Sequence, residues 1–368
     1  MKLEKGHITG LELLFSVFCF MQGTILRSGF IIAVTRNDSW AMAFTGLLFA
    51  LPIVAIYAAL LRWFPGQGLF EINTAIFGRA LGKAVSVLYL FFFLSLTALN
   101  TRDLGNFVEG YMMPETPIAA IVPLFLLACV YAIRKGIQNL MRLSIVFSII
   151  AVGAVIFNFI LILKDVRLDF LKPFFRLEPM KYVQGTVTVA AVPLGEILAF
   201  TVIAPMLGKG KKAGVPLTLG LIASAVFMAV VILRDIITLG PLVSIVSLPS
   251  FESVRYVSLA GVLTRMESIY AVVLVALFLF KVSILLYAFV LGLSQLLDMK
   301  SYPPLILVAG VLAFLYALLV FESVMENMDW GATTAPFFSL TFEFVLPAVS
   351  LLVARLRGLN RTREVAKA

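Results

Sequence analysis

The sequence predicts an all-α integral membrane protein with ten transmembrane helices, and its composition supports this fold class. Hydrophobic residues make up 61% of the 368 residues and charged residues only 13%, whereas a soluble domain carries about 25% charged residues. The mean hydropathy of +1.05 agrees with this excess of apolar residues. A soluble fold of this length has too little interior to bury so much apolar surface.

Ten apolar stretches are long enough to cross the hydrocarbon core as helices, which takes about 20 residues. We number them as spans 1 to 10, and together they form a single transmembrane domain over residues 1–368. Span 8 is long enough to cross at a tilt. In chain order the spans are 9–34, 40–62, 83–101, 117–133, 143–163, 183–207, 214–239, 264–297, 303–321 and 335–355.

The distribution of basic residues predicts that both chain ends face the cytoplasm. With the N-terminus inside, most of the 29 Lys and Arg residues fall in inward-facing connections, as the positive-inside rule requires. The connection 164–181 is the exception, because it faces outward and is nevertheless basic. The stretch 322–329 is purely acidic, as an outer loop can be.

The charge and the reactive residue types argue against several functions. The net charge of +9 is explained by the inward-facing loops, so it does not indicate nucleic-acid binding. Cys19 and Cys129 lie inside apolar spans without CxxC spacing, and His7 is the single histidine. We expect no metal site, no cofactor and no enzymatic activity, because the sequence has no histidine cluster, nucleophile motif or phosphate-binding loop.

Two spans are interrupted near their middle by residues that weaken a helix. Span 1 contains Met-Gln-Gly-Thr at 21–24, and span 6 contains Pro-Leu-Gly-Glu at 193–196. Each of these spans begins a group of five, and an odd number of spans per group makes the second group enter the membrane inverted. We therefore predict two inverted five-helix repeats, approximately 8–164 and 180–357, with a binding site at the paired interruptions.

The interruptions also indicate what such a site would bind. Proline lacks a backbone N–H, and glycine has no steric preference for continuing a helix. In lipid each free peptide group costs several kcal/mol, so a break is tolerated only where it lines a cavity or is packed by neighbours. Free N–H groups suit a carboxylate and free carbonyls suit an ammonium group, and a zwitterionic amino acid carries both. A proline kink that only bends the helix is the structural alternative.

Three charged residues within the spans have both a functional and a structural interpretation. Glu196 would carry a proton, hold a neighbouring broken helix, or cap free N–H groups. Lys281, near the middle of span 8, would replace a sodium ion as a fixed ammonium, or form a structural pair with Glu196. Arg27 would gate the outer end of the site, or anchor span 1 at the membrane interface.

Span 3 offers candidate cavity walls, since Tyr89, Phe93 and Thr97 share one helical face at four-residue spacing. Simple packing of this aromatic face is the alternative.

Other charged residues are less informative. Arg234 and Asp235 are expected to form a local ion pair at the end of span 7. Glu343 in span 10 is too isolated in the sequence to be assigned a role.

Six short pieces of sequence occur in a recognisable order along nearly the whole chain. They are Gln-Gly-Thr-Ile-Leu at 22–26, Pro-Glu-Thr-Pro at 114–117, Arg-Lys-Gly-Ile at 134–137 with Arg142, Pro-Leu-Gly-Glu at 193–196, Arg-Met-Glu at 265–267 and Lys-Val-Ser at 281–283. Together they resemble the spore germination permease family. Its members are the B subunits of endospore nutrient germinant receptors, within the amino acid/polyamine/organocation transporter superfamily.

The resemblance implies a LeuT-like fold whose ligand pocket lies at the interruptions of spans 1 and 6, walled by spans 3 and 8. It also implies an A subunit and a lipoprotein C subunit as partners in the inner membrane of the endospore. By position, the candidate ligand-binding residues are Gln22, Gly23, Thr24, Pro193, Leu194, Gly195 and Ser283.

Two functions follow as hypotheses. The first is a nutrient sensor that binds a small neutral amino acid, or a similar nutrient, and signals to its partner subunits. The alternative is an active amino acid permease, coupled to protons through Glu196. A cavity with few polar groups favours small neutral amino acids under either hypothesis.

Overall fold

The computed structural model describes residues 7–24, 28–163, 166–207, 212–256 and 266–359. In this part of the chain all regular secondary structure is helical, and helices occupy all ten predicted spans. Spans 1 to 10 are formed by α1 (Gly10–Gln22) with α2 (Ser28–Thr35), α3 (Ser39–Trp63), α5 (Arg79–Phe107), α6 (Ile118–Arg134), α7 (Ile137–Ile162), α8 (Pro179–Val189) with α9 (Phe200–Ile203), α10 (Gly214–Leu239), α12 (Met266–Leu296), α13 (Pro303–Leu319), and α15 (Ala335–Leu340) with α16 (Leu346–Leu356). The connections add α4 (Leu69–Phe77), α11 (Pro249–Arg255) and α14 (Val324–Thr333).

The length and composition of these helices suit a membrane. Seven helical stretches are long and apolar enough to cross one by themselves, or eight if the bent pair α13 and α14 is counted as a single span. The helices α1 and α6 are shorter but apolar. The most apolar part of α7 is only 28% buried although its mean hydropathy is 2.8, so its outer face is suited to contact with lipid. The predicted membrane class is confirmed.

Three short helices lie in connections where the hydropathy pattern predicts no span. The clearest is α14, which follows α13 at a bend of 98° and contains most of the acidic stretch 322–329. The backbone N–H of Glu326 donates to the hydroxyl of Ser323 at 3.1 Å, which caps the start of this helix. Acidic residues at a helix N-terminus are also favourable. Local capping, which hydropathy does not measure, makes this connection a helix.

Contacts between distant connections place Ile8 and Arg357, which lie near the two ends of the described chain, on one face of the protein, which we call the terminal face. On this face the backbone N–H of Ile8 donates to the carbonyl of Met206 at 3.1 Å. Lys83 forms an ion pair with Asp298 at 2.9 Å between Nζ and Oδ2. The hydrogen bond from Lys83 lowers the pKa of the exposed Asp298 carboxyl, so this pair persists at weakly acidic pH.

The other connections meet on the opposite face. There the side-chain amide of Asn37 donates to the carbonyl of Lys172 at 3.2 Å, and the amide of Asn327 donates to Asp103 at 2.7 Å. The contacts on both faces agree with the sequence prediction that successive connections lie alternately on the two sides of the membrane.

The spans pack in two groups. The helices α1, α3 and α10 pack together with span 6, whereas α5, α6, α12 and α13 form a second group. The helix α7 contacts α1 and α12, and span 10 packs against α3, α4 and span 6. Since α12 also contacts α1 and span 6, the two irregular spans face α12 at the boundary between the groups.

Gly46 on α3 permits a close approach of α3 to span 6. A Cβ at this position would lie 2.6 Å from Cγ1 and 2.8 Å from Cβ of Val189. We expect Gly46→Ala to destabilise the protein by about 1 to 3 kcal/mol through overpacking, seen as a lower unfolding temperature in detergent. The matched control is Gly153→Ala on α7, because nothing lies within 4 Å of that added methyl group. Equal unfolding temperatures for the two variants would contradict the close approach.

Candidate binding and ion-pair site at the irregular turns of spans 1 and 6

Span 1 is interrupted at the predicted place. The helix α1 ends at Gln22, the backbone tightens to a 3₁₀ turn at residues 23–24, and α2 begins at Ser28. Gln22 is buried, and among the described residues its side-chain oxygen has no hydrogen-bond partner. The predicted gate Arg27 lies outside the described residues.

Span 6 is irregular rather than unwound, which differs from the predicted break. A π-helical turn covers Ala190–Leu194 and a 3₁₀ turn covers Gly195–Ala199. Pro193 explains the wide turn, because its ring would clash with the carbonyl four residues earlier in a regular α-helix. Pro193 and Leu194 are both buried here. The backbone is therefore distorted at the predicted position, while the helical path continues.

Lys281 of α12 connects the two irregular turns. Its ammonium group donates to the hydroxyl of Thr24 in span 1 and lies 2.6 Å from Oε2 of Glu196 in span 6. It also lies 5.0 Å from the ring centre of Phe20, within the range of a cation–π interaction. The side chains of Lys281 and Glu196 are fully buried. The structure thus brings together the candidate residues Thr24, Glu196 and Lys281, which are far apart in the sequence.

Gly23 is the point of closest packing against this lysine. A Cβ at Gly23 would lie 3.1 Å from Cδ of Lys281 and 3.4 Å from the carbonyl oxygen of Leu277. A methyl group would need a small adjustment, whereas a larger side chain would displace the lysine.

Glu343 belongs to the same site, although its isolated position in the sequence predicts no role for it. It lies in a second π-helical turn, Thr341–Val345 in span 10, and its side chain is fully buried. Pro347 cannot donate to the carbonyl of Glu343 four residues earlier, and the hydroxyl of Tyr57 from α3 donates to this carbonyl instead. The helix α3 therefore supplies the hydrogen bond for the Glu343 carbonyl that the proline leaves free.

The carboxylate of Glu343 rests directly on the backbone of Gly195. A Cβ added to Gly195 would overlap Oε2 of Glu343 and lie 2.7 Å from its Cδ. Only glycine leaves room for this contact. A carboxylate close to a proline inside an apolar span is the combination seen at Pro193 and Glu196, and it recurs at Glu343 and Pro347. That repeated combination is the sequence signal that would have identified Glu343.

The predicted walls on span 3 are buried but are not grouped with Lys281 in the contacts described above. The hydroxyl of Thr97 donates to the carbonyl of Phe93 at 2.7 Å, so this hydrogen bond stays within its own helix. The ring of Phe93 packs against Phe70 of α4 at 6.2 Å between centroids. The hydroxyl of Tyr89 has no hydrogen-bond partner in the described structure. Their role in ligand binding stays a prediction.

Ser283 faces a different neighbour from Lys281. It is fully buried and lies near the Cys129 thiol of α6, but its hydroxyl has no hydrogen-bond partner among the described residues. Its position two residues from Lys281 on α12 places it on a different side of that helix. A ligand contact through Ser283 therefore also stays a prediction.

Arg234 and Asp235 form a second buried ion pair, farther along span 7. Nη2 of Arg234 lies 2.6 Å from Oδ1 of Asp235, and both side chains are fully buried. The hydroxyls of Ser250 and Ser253 in α11 donate to the same carboxylate at 2.5 and 2.8 Å. The predicted local pair exists, but it is buried inside the fold and tied to another helix. It is therefore a structural link between α10 and α11.

A cavity of about 100 Å³ opens on the opposite face. Its lining combines aromatic residues with a few polar groups. It includes Phe30 of α2, Asp103 of α5, Tyr111 in the turn that follows α5, and Asn327 of α14. Because Phe30 follows the interruption of span 1, this cavity adjoins the outer half of that span. Among the described residues, no group of three or more His, Cys, Asp or Glu side chains is arranged to hold a metal ion.

Structural comparison supports the predicted architecture. Mhp1, a nucleobase-cation-symport-1 family transporter in a closed conformation with bound bromovinylhydantoin, superposes with a TM-score of 0.65. The sequence identity is 16%, over 98% of this chain and 82% of Mhp1. A Na⁺-coupled sialic acid symporter in its substrate-bound outward-open state gives a TM-score of 0.64 and 14% identity, over 92% of this chain and 80% of the symporter. The LeuT-like fold is thereby confirmed.

Sequence comparison identifies the family. Spore germination protein KB of Bacillus subtilis (strain 168) is 25% identical over 373 residues, which cover 98% of each chain. The Spore_permease family of spore germination proteins matches residues 7–325. Because this match covers most of the chain, the protein belongs to the Spore_permease family of spore germination proteins.

Proposed function

We propose that this protein is the membrane-embedded, nutrient-binding subunit of a spore germinant receptor. It binds a small neutral amino acid, or a similar nutrient, between the irregular turns of spans 1 and 6. Binding stabilises one arrangement of the spans over another, and partner A and C subunits receive this change as a signal. The fold and the family membership agree with a binding protein built on a transporter scaffold.

The observation that carries the proposal is the position of the Lys281 ammonium. It contacts Thr24 and Glu196, so one fixed positive charge lies where the two distorted turns meet. A fixed ammonium supplies a charge that would otherwise have to come from a bound sodium ion. A site whose cation cannot dissociate suits a sensor better than a sodium-driven pump.

The ligand position follows from the backbone. Gly23 and Thr24 would meet one end of a zwitterion at the interruption of span 1, while Leu194 and Gly195 face it from span 6. Peptide groups at distorted helix turns are suited to the charged ends of an amino acid. The cavity beside Phe30 on the opposite face is the proposed entrance.

We place the protein in the inner membrane of the endospore, with both chain ends in the cytoplasm. The terminal face carries most of the inward-facing basic connections, in keeping with the positive-inside rule. The opposite face would then receive the nutrient. The inverted repeats 8–164 and 180–357 are part of the same proposal.

Ligand-induced stabilisation tests the proposed function. The purified chain in lipid nanodiscs is heated with each member of a panel of amino acids. A bound nutrient at about 100 times its dissociation constant should stabilise the folded state by about 2.7 kcal/mol. Gly23→Leu should abolish this gain, whereas Gly153→Leu, at a glycine with nothing within 4 Å, should retain it. A gain that survives in Gly23→Leu would place the pocket elsewhere.

Active transport is the second candidate, because the two solved structures that resemble this chain are transporters. Uptake of radiolabelled amino acid into proteoliposomes separates the two functions. A sensor accumulates nothing, whereas a proton-coupled permease accumulates substrate along the proton gradient and loses this activity on Glu196→Gln.

A further inference from the structure

We propose that Glu343 is a proton-binding site, and that the cluster of Glu343, Glu196 and Lys281 holds one exchangeable proton at the junction of spans 1, 6, 8 and 10. This site adjoins the proposed nutrient contacts at Thr24 and Gly195, but its occupancy does not depend on a nutrient.

The first argument is the burial of an unpartnered carboxyl group. The side chain of Glu343 is fully buried. Among the described residues, neither of its carboxyl oxygens accepts a hydrogen bond. An ionised carboxylate in such a place loses its hydration without a replacement, and in practice such a group takes up a proton instead.

The second argument is the charge balance of the cluster. The ionisable groups around Glu343 are Glu196 of span 6, Lys281 of α12 and Tyr57 of α3, and Tyr89 of α5 lies next to Tyr57. The two tyrosines are neutral at physiological pH. Two carboxyl groups therefore share one ammonium group, and full ionisation would leave one excess negative charge inside the membrane. One proton balances the cluster.

The third argument decides which carboxyl group carries the proton. Oε2 of Glu196 lies 2.6 Å from Nζ of Lys281, so Glu196 has the compensating charge. Glu343 instead rests on the backbone of Gly195. When two carboxyl groups compete for one cation, the group without the ion pair is the one that stays protonated.

The location of this proton gives it a mechanical consequence. Lys281 also binds Thr24 at the interruption of span 1. Once Glu343 loses its proton, its negative charge competes with Glu196 and Thr24 for the same ammonium group. Release of the proton thus loosens the link between spans 1 and 6, and uptake of the proton restores it.

Infrared spectroscopy of the nutrient-free protein in nanodiscs tests this proposal. At neutral pH the wild type should show the carbonyl stretch of one protonated, buried carboxyl group. Glu343→Gln should lose that band, and Lys281→Met should show about twice its intensity, since both carboxyl groups then lack a cation. Glu178→Gln is the matched control at an exposed position and should leave the band unchanged. A wild type without the band, or a band that survives in Glu343→Gln, would overturn the proposal.

Thermal unfolding provides a second readout. The folded chain holds a proton that the unfolded chain releases above about pH 4.3, the ordinary value for glutamate, so wild-type stability should fall as the pH rises. Glu343→Gln should remove this part of the slope and unfold at or above the wild-type temperature at neutral pH, because glutamine needs no proton to stay neutral. If Glu343→Gln is as destabilised as Glu196→Gln, Glu343 acts in its ionised form and the proposal is wrong. Should Glu343→Gln not fold, the spectra of the wild type and Lys281→Met still decide the question.

Discussion

Asp235→Ala is expected to lower the free energy of unfolding by about 3 to 5 kcal/mol, the usual cost of breaking a buried ion pair by removing one partner. Arg234 would keep its charge, because an arginine side chain cannot be deprotonated in a protein. With both side chains fully buried, no water replaces the lost carboxylate. The unfolding temperature in nanodiscs measures this effect.

The neighbouring contacts of Asp235 add to the expected loss. Its carboxylate accepts hydrogen bonds from Arg234 and from the hydroxyls of Ser250 and Ser253. These donors would lose a shared acceptor at once, and the packing of α11 against α10 would weaken. A buried donor without a partner costs about 1 to 3 kcal/mol.

A surface ion pair on α11 is the matched control. Arg255 lies 3.7 Å from Glu252, and the side chain of Arg255 is 63% exposed. Arg255→Ala should therefore change stability by at most about 1 kcal/mol. If Asp235→Ala costs no more than Arg255→Ala, water reaches the pair and its burial is not as the structure shows. The double change Arg234→Met with Asp235→Leu should recover much of the loss, because it leaves no unpaired charge.

The fold was accessible from the sequence because the physics of a membrane span is local. Apolar length predicts each crossing, and all ten predicted spans are helical. Pro193 and Gly23 likewise mark local weaknesses of a helix, so both irregular turns were predictable. The form of the turn in span 6 was not predictable, since a proline is accommodated by unwinding, by a kink or by a wide turn according to the surrounding packing.

The site was only partly accessible, because its contacts join residues far apart in the chain. The sequence predicts the pairing of Lys281 with Glu196 as one alternative, since two opposite charges inside a membrane tend to meet. The role of Glu343 depends on its contact with Gly195 and on the hydroxyl of Tyr57, which is 286 positions away. No periodicity or spacing reports such a contact. The conformation of Ser283 against Cys129 depends in the same way on packing between α6 and α12.

Lys281→Met is the second change with a large expected effect, and its cost should depend on pH. Methionine keeps the length and apolar character of the lysine stem, so the variant removes the charge without leaving a large cavity. Glu196 would then be buried without a cation. Unlike Arg234 in the Asp235 variant, Glu196 can take up a proton and become neutral.

The cost of that proton sets the size of the effect. Protonating a glutamate with an ordinary pKa of about 4.3 at pH 7 costs about 3.7 kcal/mol, at about 1.4 kcal/mol for each pH unit. The unfolded chain releases this proton at neutral pH, so the stability of Lys281→Met falls relative to wild type as the pH rises and approaches it below about pH 5. Thermal unfolding of both proteins across this range measures the difference.

The same variant separates a structural role of Lys281 from a signalling role. If the lysine only balances Glu196, the double change Lys281→Met with Glu196→Gln should restore both stability and the germination response of spores. If the ammonium group is needed to hold Thr24 against span 6, the double variant should fold with nearly wild-type stability and still give no response. If Lys281→Met loses the same stability at every pH, the pairing itself is contradicted. Only an ionisable partner left behind in the membrane makes the stability difference from the wild type depend on pH. The ion pair therefore makes a prediction that packing alone does not make.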